Sequence, residues 1–113
     1  MFATLMGLNT ISPTHLHQML QNQQVTVIDV NARQSWIKAR VPSARSLDPV
    51  SYKDNDLPSD KGSALVFYCS GPMCRKAPNA ARRATQMGFK NVKVMSAGIS
   101  GWLNAKLPAE SGE

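Results

Sequence analysis

Three short, mainly apolar runs divide the chain, and each has the length and β-branched content of a buried strand. They extend from Val25 to Val30, from Ala64 to Tyr68 and from Val92 to Met95. Compact runs of this kind are typical of strands covered on both faces, as in a parallel sheet. A further short extended piece is predicted at residues 46–48.

The segments around these strands have the spacing of helices. Ser12 can cap a helix that precedes the first strand, and Pro13 suits its first helical position. The apolar face of this helix would carry Leu16, Met19 and Leu20. Shorter helices are predicted at residues 33–39 and after residue 97.

A longer helix is predicted after the second strand, because small apolar residues recur there at i, i+3, i+4, i+7 and i+10. They are Ala77, Ala80, Ala81, Ala84 and Met87. Alanines on one face would let this helix pack close to a sheet. Gly88 is a natural C-cap, and Phe89 can close the helix end with an apolar contact.

Strands therefore alternate with helices, which predicts an α/β fold with a mainly parallel central sheet and helices on both faces. At 113 residues we expect a single domain spanning 1–113, with residues 1–10 as a flexible N-terminal extension. Sites in such folds form at the carboxyl ends of the strands. Cys69 follows the second strand directly and lies at such an end.

The charge of the chain narrows the choice of ligands. Thirteen Lys and Arg against seven Asp and Glu give a net charge of +6, which suits anionic small molecules or acidic proteins. The basic residues are scattered and aromatic residues make up only 6%, so we expect no nucleic acid partner. The apolar start of the chain is too short for a signal peptide or a membrane span. Two cysteines are too few for a disulfide framework, so we expect free thiols, a cytoplasmic location and no membrane partner.

The loop after Cys69 has the composition of an anion-binding turn. Backbone amides between Ser70 and Ala77 can surround a sulfur at the start of a helix, and Gly71 allows the chain to curl inward. Such amides stabilise a thiolate, so we expect the pKa of Cys69 to lie below that of a free thiol. Cys74 is either a resolving thiol, a disulfide partner under oxidation, or a residue that only fills the loop.

Three stretches together resemble the rhodanese, or sulfurtransferase, homology domain from about Ile11 to Pro108. "VTVIDVNARQSWIKARVPSARSLD" resembles the first block, in which an Asp ends the strand and a "GHIPGA"-like turn follows. "VFYCSGPMCRKAPNAARRATQMGFKNVKVMSAG" resembles the active-site strand, loop and helix. "SAGISGW" resembles the closing "GG-x-x-x-W".

The resemblance implies a three-layer fold with four to five strands and a nucleophile, Cys69, that accepts sulfane sulfur as a persulfide. It implies an anionic donor such as thiosulfate and an acceptor that is cyanide or a thiol, which an acidic protein could carry. It implies no metal, no cofactor, and a monomer or weak dimer. Asp29 and Arg33 would support the site. The loop residues that would bind substrate are Ser70, Gly71, Met73, Cys74, Arg75 and Lys76.

Departures from the family pattern leave other functions open. Asn31 and Arg40 stand where the family often has Arg and His, and the active-site loop is two residues longer than the common short form. Cys69 and Arg75 have the C-x5-R spacing of cysteine phosphatases and related arsenate reductases, which bind a whole oxyanion. Tyr68 and Lys76 differ from the residues usual in those enzymes, and a helix starting at Pro78 would leave Arg75 in the loop. The third alternative is a non-catalytic interaction module or sulfur carrier.

Overall fold

The computed structural model describes residues 7–22 and 24–113 of the chain. The strands are β1 (Asn9–Thr10), β2 (Thr26–Asp29), β3 (Arg45–Ser46), β4 (Ala64–Tyr68) and β5 (Asn91–Val94). The α-helices are α1 (Pro13–Asn22), α2 (Arg33–Lys38), α3 (Lys76–Gln86) and α4 (Gly98–Asn104), and a 3₁₀ turn covers Asp54–Asp56. The predicted α/β fold is confirmed.

The strands form one sheet in the order β1-β5-β4-β2-β3, and every neighbouring pair is parallel. β4 lies at the centre, where Phe67 is in register with Ile28 of β2 and with Val94 of β5. Because all strands run in the same direction, their carboxyl ends meet at one edge of the sheet. The central strand delivers Cys69 to that edge.

Helices cover both faces of the sheet, as predicted. On one face the alanines of α3 are buried against Ile28, Leu65 and Phe67. On the other face Leu16 of α1 and Trp102 of α4 pack with Val66. Alternate residues of β4 therefore enter two separate cores, which is why the strand is apolar throughout.

The predicted extension over residues 1–10 is wrong at its end. Asn9 and Thr10 form β1, which pairs with Lys93 and Val94, and the Ile11 amide donates to the Val94 carbonyl at 3.0 Å. Both β1 side chains are exposed, so the strand itself shows no hydrophobic pattern, and it is held by backbone pairing and by the flanking Leu8 and Ile11, which pack in the two cores. Leu8, just before β1, packs against the core on the α3 face, while residues 1–6 of the predicted extension lie outside the described residues.

Both ends of α3 have identifiable caps, and the first of them shows where the active-site loop ends. The helix begins at Lys76 with Arg75 as its N-cap, and Pro78 lies in the first turn, where a missing amide is tolerated. Arg75 is therefore at the helix start, and the expectation that a helix beginning at Pro78 would leave it in the loop is wrong. At the other end Gly88 adopts φ +103° and the Phe89 amide donates to the Ala84 carbonyl at 3.2 Å, which confirms the predicted cap.

The helix that precedes the first long strand also starts where the sequence predicts. The His15 amide donates to the Ser12 hydroxyl at 3.1 Å, which is the hydrogen bond of an N-cap. None of the helices in residues 7–22 and 24–113 has the length and apolar content needed to cross a membrane.

Candidate active site

Cys69 is the first residue after β4, and its side chain lies between the sheet and the start of α3. Its exposed fraction is only 2%. The Ala77 amide, in the first turn of α3, donates to the Cys69 sulfur with an N–S distance of 3.4 Å. The sulfur therefore lies at the N-terminus of an eleven-residue helix, where unpaired amides and the helix dipole favour negative charge.

Cys69 is joined to Cys74 by a disulfide bond. The loop turns back through Gly71, whose carbonyl accepts the Cys74 amide at 3.1 Å. This turn brings the two Cα atoms to 6.4 Å, within the range that disulfides normally span. The expectation of free thiols is therefore wrong for this structure. Of the alternatives left open for Cys74, the structure shows the disulfide partner.

The six residues predicted to bind substrate do not all line the cavity at Cys69. Cys74 uses its amide within the turn, and Gly71 is not among the glycines with a positive φ. Met73 is 79% exposed, and Ser70, Arg75 and Lys76 are exposed as well. The amide that does contact the sulfur belongs to Ala77, the last residue of the stretch whose amides we expected to surround it.

A small cavity of about 10 Å³ lies beside the Cys69 sulfur. It is lined by Cys69, Gly71, Pro72, Cys74, Ala77, Pro78, Val94, Met95 and Ser96. A space of this size holds one water-sized group. The Ser96 hydroxyl oxygen is buried and has no hydrogen-bond partner among the described residues. Ser96 is not among the predicted site residues, because its place in the cavity lining depends on the register of β5 against β4.

The start of α4 holds the first two loop residues in place. The Ile99 amide donates to the Cys69 carbonyl at 2.9 Å, and the Ser100 amide donates to the Ser70 carbonyl at 3.1 Å. Gly98 makes this approach possible, because a Cβ there would lie 2.5 Å from backbone atoms of Ser70 and Gly71. Its φ of +65° also favours glycine. The closing "SAGISGW" stretch thus acts on the active-site loop through its backbone.

Asp29 lies on the opposite face of the sheet from Cys69. Its buried carboxylate accepts hydrogen bonds from the Tyr68 hydroxyl at 2.6 Å and from the Asn31 amide at 2.8 Å. The Tyr68 hydroxyl in turn accepts from the Val41 amide at 3.1 Å. Burial raises the pKa of Asp29, and the hydrogen bonds from Tyr68 and Asn31 partly oppose that rise. Burial and the nearby Asp29 carboxylate raise the pKa of Tyr68, so its hydroxyl stays a donor.

Arg33 does not reach the Cys69 cavity. Its guanidinium lies 5.0 Å from the centre of the Trp36 ring. Arg33 and Lys76 instead line one open cleft of about 410 Å³ beside the carboxyl ends of β2 and β3, with Asp48 in its wall. This cleft places two cations next to the active-site loop.

Arg40, which stands where the resemblance expects His, has a structural partner on each side. Its guanidinium lies 3.8 Å from the Trp36 ring centre and donates to the Gly112 carbonyl at 2.6 Å. Its backbone pairs with Glu110 in an antiparallel bridge. Arg40 therefore links the C-terminal segment to the turn after α2.

Comparison with known proteins shows the family to which this fold belongs. A family model for the rhodanese-like domain matches residues 12–105, and the chain belongs to that family. It is 24% identical over 102 residues to the thiosulfate sulfurtransferase GlpE of Glaesserella parasuis, covering 90% of this chain and 93% of that one. It is also 28% identical to an HTH-type transcriptional regulator of Mycobacterium tuberculosis, over 92% of this chain but only 46% of the regulator.

A solved structure shows the same fold at greater length. The thiosulfate sulfurtransferase of Pseudomonas aeruginosa matches with a TM-score of 0.82 and 27% identity. The match covers 94% of this chain and 20% of that protein. This chain is thus similar to sulfurtransferases and also to one part of a regulator.

The Asp29–Tyr68 pair can be tested with Tyr68→Phe. We expect the free energy of unfolding to fall by about 1–3 kcal/mol near neutral pH, because the buried carboxylate loses a donor. The pKa of Asp29 is higher in the folded protein than in the unfolded chain. Folded protein therefore loses stability as the pH rises through the folded-state pKa and Asp29 ionises. Losing the donor raises this pKa further, so the deficit should shrink as urea unfolding is measured at lower pH.

Tyr52→Phe is the matched control for this pH dependence. The Tyr52 hydroxyl is also buried, but it donates to the neutral Ala80 carbonyl at 2.7 Å. Its removal should cost about 1 kcal/mol with little change between acidic and neutral pH. Equal pH profiles for the two variants would contradict the role assigned to the Asp29 charge.

The close packing of Gly98 against the loop predicts a large effect of Gly98→Ala. We expect a loss of about 1–3 kcal/mol in thermal or urea unfolding, because both the positive φ and the Cβ contact are unfavourable. Gly62→Ala is the control, since Gly62 has an ordinary φ and its Cβ would meet only the tip of the Asp60 side chain. A Gly98→Ala protein as stable as the control would refute this contact.

Proposed function

We propose that this protein is a sulfurtransferase that carries sulfane sulfur on Cys69 as a persulfide. The observation that carries the proposal is the Cys69 sulfur at the N-terminus of α3, in contact with the Ala77 amide and beside a cavity of about 10 Å³. That cavity has room for one further atom of the size of sulfur or oxygen. The helix N-terminus stabilises the thiolate that must attack the donor.

The reaction starts from the reduced form of the site. The Cys69 thiolate attacks the outer sulfur of thiosulfate, the sulfur–sulfur bond of the donor breaks, and sulfite leaves with the electron pair. An acceptor thiolate or cyanide then attacks the outer sulfur of the persulfide, and Cys69 leaves as the thiolate. Because only reduced Cys69 can react, a reducing compartment such as the cytoplasm is the setting that we propose.

The charge around the loop supports anionic donors and acceptors. Arg75 and Lys76 are exposed beside the loop, and Lys76 shares its cleft with Arg33. These cations, with the net charge of +6, favour the approach of thiosulfate and of a thiol on an acidic molecule. We propose no nucleic acid, metal or cofactor for this reaction.

Oxyanion chemistry of the C-x5-R kind remains the second candidate, because Arg75 lies at the helix start as that chemistry requires. Two observations favour sulfur transfer over it. In the disulfide form, the cavity lined by Cys69 and Cys74 has room for one water-sized group. In addition, the Cys74 amide donates to the Gly71 carbonyl, so it is not available to an oxyanion.

The proposal predicts that reduced protein, mixed with excess thiosulfate, releases about one equivalent of sulfite in a rapid first turnover. Cys69→Ser should release none, while its thermal unfolding shows that it remains folded. Activity on an aryl phosphate or on arsenate that exceeds sulfite release and is lost in Arg75→Ala would support the second candidate. A protein that reacts with none of these compounds would be an interaction module.

A further inference from the structure

We propose that Cys74 is the resolving thiol of this site, so that the protein reduces sulfane sulfur to hydrosulfide. Cys74 would attack the persulfide on Cys69, release hydrosulfide and form the Cys69–Cys74 disulfide that the structure contains. A dithiol would then reduce the disulfide. This inference rests on the proposed function and names its acceptor class as a dithiol reductant.

The loop reaches the bridged arrangement with an ordinary backbone. The residues with positive φ outside glycine are Ser43 and Lys106 among those described, so none lies in the active-site loop. The turn from Gly71 to Cys74 is closed by a normal 3.1 Å hydrogen bond. Cys74 therefore reaches the Cys69 sulfur within a regular turn, and little rearrangement is needed between persulfide and disulfide.

Burial favours an internal attacker over an external one. In the bridged form Cys69 is 2% exposed, so a bulky thiol on another molecule reaches its sulfur less easily than Cys74 does. Cys74 lies in the same loop and lines the same cavity. A thiol held this close acts at a very high effective concentration. The inner sulfur is thus within reach of Cys74 and less accessible to bulky external thiols.

The two sulfurs differ in a way that assigns their roles during reduction. Cys74 is the more exposed of the pair, so an incoming dithiol meets its sulfur first. Attack there expels Cys69, whose thiolate is stabilised by the Ala77 amide and the start of α3. Thiol–disulfide exchange is faster when the leaving thiolate is the more stable one. Reduction therefore returns Cys69 as the free nucleophile.

The atoms and electrons of the cycle balance. The Cys74 thiolate attacks the inner sulfur of the Cys69 persulfide, the bond to the outer sulfur breaks, and that sulfur leaves with its proton as hydrosulfide. The dithiol then reduces the disulfide through a mixed disulfide and becomes a disulfide itself. The net reaction converts thiosulfate and a dithiol into sulfite, hydrosulfide and an oxidised dithiol.

One experiment separates this inference from the proposed function. Reduced protein is freed of reductant and mixed with one equivalent of thiosulfate, and then sulfite, hydrosulfide and the intact protein mass are measured. We expect wild type to release both products and to end about 2 Da lighter than the reduced chain, as a disulfide. Cys74→Ser should release sulfite alone and gain about 32 Da, the mass of one sulfur atom.

Cys74→Ala checks that the missing thiol, and not the serine, causes the difference. Both variants should release hydrosulfide once dithiothreitol is added, because this dithiol replaces the internal one. Wild type that keeps the added sulfur and releases no hydrosulfide would overturn the inference while the proposed function stands. No sulfite from wild type or variants would overturn the proposed function and, with it, the inference.

Discussion

Consecutive residues of a strand point to opposite faces of a sheet, and at the end of β4 this constraint separates Tyr68 from Cys69. β4 pairs with β2 on one side and with β5 on the other, so its backbone is fixed laterally. Tyr68 then locks one face through Asp29 and the Val41 amide. The hydrogen bonds of Tyr68 therefore help to position Cys69, although they lie on the opposite face of the sheet from its sulfur.

The loop beyond Cys69 is held at its base and left exposed at its tip. α4 binds the carbonyls of Cys69 and Ser70, and α3 offers the Ala77 amide to the sulfur. Met73, at the tip, is largely exposed. Fixed geometry around a reacting atom lowers the cost of orienting it, while an exposed tip can meet molecules of different shapes. The site thus combines a fixed, buried sulfur with an exposed loop tip.

The sequence predicts the elements whose burial leaves a regular pattern. Ala64 to Tyr68 is apolar because both sheet faces are covered, and the alanines of α3 recur because the helix packs closely on β4. β1 leaves no such pattern, because its two side chains are exposed and only its backbone pairing with β5 and the flanking Leu8 and Ile11 hold it. The family and the position of Cys69 were likewise readable from motifs of consecutive residues.

The parts of the site that sequence could not supply depend on distant segments meeting in space. Ser96 reaches the cavity through the register of β5, and Gly98 matters because α4 approaches the loop backbone. Amides up to Ala77 were expected around the sulfur, but the contact of the Ala77 amide in particular depends on the helix starting two residues before Pro78. The bond between Cys69 and Cys74 depends on the turn at Gly71. From the sequence alone, a disulfide was one of three alternatives for Cys74.

The disulfide has a consequence for the durability of the protein. A reactive thiolate that meets peroxide can pass through sulfenic acid to sulfinic and sulfonic acids, and the last two steps are not reversed by ordinary thiols. A sulfenic acid on Cys69 would meet Cys74 five positions along the chain and condense with it, releasing water. The short spacing of the two cysteines thus diverts oxidative damage into a state from which the chain can be recovered.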